Sequence, residues 1–131
     1  GTRRRVELDA TVESSQGVSA VHRVEIELSQ APGERSATGF VRVTDEAGMT
    51  LRSTRLGVLQ ATDGWAGITG TLAPEGDDDA RSETAFHLVV DTADPTGVGP
   101  TAVAFVAIDG PQLAGWTDAA PEIESMPPEA R

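Results

Sequence analysis

Hydrophobic residues recur at every second position through most of this chain. Val6, Leu8, Ala10 and Val12 alternate with Glu7, Asp9, Thr11 and Glu13, and Val24, Ile26 and Leu28 alternate with Arg23, Glu25 and Glu27. A period of two sends successive side chains to opposite faces of a pleated strand, so both stretches predict strands with one buried and one wet face. The same pattern predicts a third strand over Thr38–Thr44 and a fourth over residues 49–55, running on through Leu59 after a bend. A fifth follows over residues 65–72, with Ala66, Ile68, Gly70 and Leu72 on one face, and a sixth over residues 83–91, with Phe86, Leu88 and Val90 opposed to His87 and Val89. Residues 101–109 are nearly all apolar, which predicts a strand buried on both faces or placed centrally in a sheet.

The breaks between these runs carry turn chemistry. Residues 14–17 turn the chain, Ala31-Pro32-Gly33 ends the second strand, and Asp45-Glu46-Ala47-Gly48 and Asp63-Gly64 read as hairpin turns. Asp can bond its own downstream backbone there, and Gly can take the positive φ that closes such loops. Gly57, Gly67 and Gly70 fall inside predicted strands, where a glycine marks a bulge, a bend or the close approach of another backbone. The strands should therefore be sharply bent. The fold predicted is all-β: a single antiparallel meander of seven to eight strands closed into a β-sandwich or barrel over residues 1–110. From residue 111 the chain holds Pro111, Pro121, Pro127 and Pro128 among scattered acids, and an extended tail is expected, its first part pinned by Trp116.

Composition narrows the core and the partners. The 131 residues make one domain, and their only aromatics are Phe40, Phe86, Phe105, Trp65 and Trp116, so the core must be lean and mostly aliphatic. Without cysteine there is neither a disulfide framework nor a thiolate metal site, and the compartment stays open. Lys, Asn and Tyr are also missing and every basic side chain is Arg, the codon bias of a GC-rich genome. A formal net charge of −11 repels polyanions, so nucleic acid is not an expected partner. Arg3-Arg4-Arg5, the one basic run, reads as a solvated terminus. No membrane span or signal peptide is visible, and Gly1 in place of an initiator Met fits a start from which an upstream signal or domain has been cut away.

Over residues 38–109, a little over half of the chain, the order and spacing of short motifs resemble a small β domain of secreted actinobacterial proteins, the post-COAP-1 domain. The likeness lies in Gly39-Phe-Val-Arg-Val with Asp45 and Gly48, in Leu51-Arg-Ser-Thr, in Ala66-Gly-Ile-Thr-Gly, and in Phe86-His-Leu-Val-Val-Asp leading to Asp94-Pro-Thr-Gly. The resemblance implies an all-β accessory domain that is exported or displayed at the cell surface. It brings no catalytic residues, cofactor or metal ligands.

The residues themselves nominate little chemistry. His22 and His87 stand alone on predicted strands, and no G-x-S-x-G elbow is present, so no catalytic residue is assigned. Glu75, Asp77, Asp78 and Asp79 form one acidic loop cluster, and Asp91 and Asp94 another. Calcium is the ion such loops would take, but neither follows EF-hand spacing, and solvated loops are the expectation; no metal ligand or cofactor site is assigned. Trp65 is a candidate platform for a sugar ring or a partner, weighed against packing over a barrel end or on Trp116. The reading that results is a non-catalytic binding or spacing module, its partner a protein, a carbohydrate or a small apolar ligand, with self-association through a sheet edge as a further expectation. The alternative is a small barrel carrying an apolar ligand in its interior, as lipocalin-like folds do, with Ala10, Gly70 and Ala107 leaving room for it.

Overall fold

The computed structural model describes residues 3–14, 20–62, 64–76, 83–92, 101–108, 112–119 and 121–126. They form ten strands: β1 (Arg3–Ser14), β2 (Ala20–Gln30), β3 (Thr38–Thr44), β4 (Thr50–Leu56), β5 (Gln60–Thr62), β6 (Trp65–Pro74), β7 (Thr84–Thr92), β8 (Thr101–Ala107), β9 (Gln112–Thr117) and β10 (Glu122–Met126). All pairings are antiparallel. The meander runs β1-β2-β3-β4-β6-β7-β8-β9 and closes where Glu13 and Ser14 of β1 pair Trp116 and Gly115 of β9, making an eight-stranded barrel. β5 and β10 complete two interrupted strands. β4 and β5 both pair β6, and β9 and β10 both pair β1.

Alternation dictates which side of the barrel each residue meets. Val6, Leu8, Ala10 and Val12 of β1 are buried, as are Val24, Ile26 and Leu28 of β2, directly opposite residues of β1. Phe86 and Phe105 stack inside at 5.7 Å between ring centres. Burying each large side chain, such as Phe105, Leu72 or Leu59, contributes about 1.5–3 kcal/mol. The turn at Asp45 follows the expected chemistry: the Gly48 N–H donates to the Asp45 carbonyl (3.1 Å), the Met49 N–H to the Asp45 carboxylate (2.9 Å), and Gly48 takes φ 87°. Gly64 takes φ 77° between Thr62 and Trp65, which pair directly; Asp63 and the first turn's residues 15–17 lie outside the described residues. The Thr92 N–H and hydroxyl both donate to the Gly64 carbonyl, tying this hairpin to the end of β7.

The interior glycines act as anticipated. The β4–β6 register slips between Ser53 and Arg55, and at that bulge the Arg55 carbonyl sits where a Cβ on Gly70 would stand. Gly57 marks the break between β4 and β5, its N–H donating to the Thr69 carbonyl (2.8 Å). Past this break Leu59 turns inward and closes one barrel mouth.

Four expectations need correction. The basic run Arg3-Arg4-Arg5 is not a solvated terminus but the start of β1, paired with β10, and Arg4 donates to the Leu59 carbonyl. β8 is not buried on both faces: Val103, Phe105 and Ala107 point inward, whereas Ala104 and Val106 are exposed. It does hold a central place, between β7 and β9. The stretch from residue 111 is extended but is not a free tail, because β9 supplies the closing strand and β10 continues along β1, Glu7 opposite Glu122. Leu113, Gly115 and Thr117 are the buried alternate residues of β9, and Pro121 stands just before β10, where its missing N–H disrupts no ladder. Trp116 points outward, so Leu113 and Thr117 rather than Trp116 pin this segment.

Candidate functional site

Three regions could do chemistry: the interior, the outer face of β1–β3, and the outer face of β7–β9. Among the described residues the interior is packed with side chains, and the cavity between Val6, Leu28, Leu59, Leu88 and Val90, about 10 Å³, has room for roughly one water molecule. Leu59 is the stopper. Its N–H donates to the Gln30 side-chain oxygen (2.8 Å), its carbonyl accepts from Arg4 (3.1 Å), and the Gln30 amide nitrogen donates to the Glu34 carbonyl (2.7 Å). Gln30 is itself buried, so this exchange satisfies polar groups that would otherwise lie unpaired inside an apolar mouth.

The outer face of β1–β3 is ionic. Arg23 holds Asp9 through two hydrogen bonds (3.0 and 3.2 Å) across the first hairpin. Arg42 holds Glu75 with a bidentate pair (2.7 and 2.8 Å) and reaches Glu25 at 3.2 Å. Arg5 lies 2.6 Å from Glu7 and 3.7 Å from both Glu122 and Glu124. These hydrogen bonds keep the carboxyls of Glu7, Asp9 and Glu75 below the usual carboxylate range. Arg52 stacks 4.8 Å from the Phe40 ring centre. Glu122, Glu7 and Glu27 stand abreast on neighbouring strands, an arrangement of like charges that costs stability and that Arg5 partly offsets. They rim an open hollow of about 440 Å³ floored by β1 and β2.

The outer face of β7–β9 is the reverse. Ala102, Ala104 and Val106 of β8 continue into Ile108, with Val89 and the exposed His87 on one side and Ala114 and Trp116 on the other. Val106 is 46% exposed, Trp116 53% and Ile108 72%. Trp65, Asp91, Ala102, Trp116 and Glu13 form one cross-strand row, and the exposed Asp91 carboxylate has no hydrogen-bond or ion-pair partner among the described residues.

The sequence candidates are scattered across these regions. His22 stands opposite the inward-facing Val12, its Nδ1 buried without a partner, while His87 is exposed four strands away around the barrel. Glu75 is engaged by Arg42, and Asp77, Asp78, Asp79 and Asp94 lie outside the described residues; among those described, no three acidic or histidine side chains gather as a metal would need. Trp65 is half-buried, its ring lying over Gly67, whose missing side chain makes the space. It does not stack on Trp116 but stands directly opposite Asp91. The exposed indole is Trp116, hidden from sequence reasoning inside an expected tail; the small residues on either side of it, Ala114, Gly115 and Ala119, were the available signal. No described helix is long and apolar enough to cross a membrane. Comparison with family models, with curated proteins and with solved structures returned no significant match.

Proposed function

We propose that this chain is a non-catalytic accessory module of an exported or cell-surface bacterial protein, and that it works by contact through its outer surface. The observation that carries the reading is the filled interior. An eight-stranded barrel is just wide enough either to be packed solid by its own side chains or to hold one small ligand, and here Leu59, Phe105 and Leu72 take that space. A carrier of an apolar ligand needs a cavity of several hundred Å³, against about 10 Å³ here. The exported setting rests on the resemblance of residues 38–109 to the post-COAP-1 domain.

Native mass spectrometry of the protein, incubated with palmitate and with retinol and then desalted, tests the reading. The bare chain mass is expected in both cases. A one-to-one complex that survives Trp116→Ala but is lost in a variant with a bulkier interior, Ala107→Leu, would replace this reading with the carrier.

A further inference from the structure

We infer that the outer face of β7–β9 binds a neutral oligosaccharide, with Trp116 as the stacking platform and Asp91 as a hydroxyl acceptor. This rests on the proposal that the module works through its outer surface, and it names the ligand class.

The shape of the strip suggests the occupant. Trp116 is a single large planar ring on a convex face; its neighbours on β8 and along β9 are small, Ala102, Ala104 and Ala114, and on β1 the exposed Glu13 stands directly opposite it. Anchors of protein interfaces sit in pockets ringed by contacts that exclude water. An indole 53% exposed, with small residues on one side and a carboxylate-bearing residue on the other, instead offers a flat apolar surface with a polar border, which suits a ligand that is itself flat, apolar on its faces and polar on its rim. A pyranose ring has that form, its C–H bonds on the faces and its hydroxyls around the edge. In the same cross-strand row, two strands from Trp116 and so about 10 Å away along the backbone, the exposed Asp91 carboxylate has no partner among the described residues. A carboxylate accepts hydrogen bonds from neighbouring hydroxyls without needing a cation.

Area and charge set aside a second copy of the chain. The exposed apolar surface of Trp116, Val106 and Ile108 with the neighbouring alanines is on the order of 400 Å², half of the roughly 800 Å² each partner buries in a stable complex. Two copies would also bring together chains that each carry a net charge of −11. The same charge disfavours acidic polysaccharides, which leaves neutral ones.

Titration of the full chain with cellohexaose, xylohexaose, mannohexaose and chitohexaose, followed by tryptophan fluorescence and calorimetry, tests this inference. At least one is expected to bind and to shift the emission; Trp116→Ala should weaken that binding tenfold or more and Asp91→Asn several-fold, while Phe40→Leu, at the Arg52 contact on the opposite side of the barrel, leaves it intact. Trp116 is about half exposed, so Trp116→Ala should lower the melting temperature only modestly, and a cooperative melt well above the binding temperature shows that loss of binding is not unfolding. Silence from all four sugars at millimolar concentration overturns the saccharide assignment and leaves the outer-surface reading standing. Concentration-dependent dimerisation in sedimentation, abolished by Trp116→Ala, would overturn it in favour of a second copy. Only a stoichiometric apolar ligand inside the barrel would remove the reading beneath it.

Discussion

The two sides of this barrel share one fold and have opposite outer chemistry. On β1–β3 the outward residues are mostly polar, Val21 and Phe40 excepted, and Arg5, Arg23 and Arg42 tie carboxylates together across strands and to the loop at Glu75. On β7–β9 the outward residues of β8 are Ala102, Ala104 and Val106, so this strand presents no charge to solvent. Both faces cover the same aliphatic interior, and packing therefore does not explain the difference. A polar outer face is what solubility asks for. An exposed apolar strip on a strongly acidic domain departs from it, and such departures mark contact surfaces.

The comparison can be broken first from beneath. Leu59→Ala should cost about 2–5 kcal/mol, because it removes the stopper and leaves a cavity where Leu28, Leu88 and Val90 meet; urea unfolding reads this, and both outer faces should weaken together. Gln30→Ala should cost about 1–3 kcal/mol, since the buried Leu59 N–H loses its acceptor. That loss should exceed the effect of any exposed ion pair.

Next comes the ionic face alone. Glu7, Asp9 and Glu75 have pKa values lowered by their arginine partners, so when folded they take up protons less readily than the unfolded chain does. Their stabilisation is fully present above the ordinary carboxylate range, about pH 4, and is lost as pH falls through the lowered values. Arg42→Ala should flatten part of this acid dependence in melting curves, and 1 M salt should do likewise. The effect is small because these groups are exposed. Smallest of all, Ile108→Ser should change stability by no more than about 0.5 kcal/mol in the same urea experiment. A larger loss would mean that the strip is part of the core.

The first four strands were legible because their inward residues are large, their outward residues charged and their corners built from Asp and Gly. Gly70 could be read as a close approach from its place in a strand, although its partner, the Arg55 carbonyl, could not. The closing strands escaped notice for the converse reason. β9 turns inward only Leu113, Gly115 and Thr117, a weak apolar signal set among prolines. The outer strip was misread as burial because an apolar residue looks the same whether it faces a core or a partner. Nor does periodicity say whether a meander closes, since closure lives in the pairing of Glu13 with Trp116, far apart in the chain.

That closure, with Leu59 sealed inside, is what the proposed outer-surface role depends on, and through-space proton contacts measured by nuclear magnetic resonance test it most directly. The account predicts backbone contacts between Glu13 and Trp116 and between Glu7 and Glu122, together with contacts from the Leu59 methyls to those of Leu88 and Val90. Random-coil shifts for residues 112–126, or Leu59 methyls that see only solvent, would contradict it.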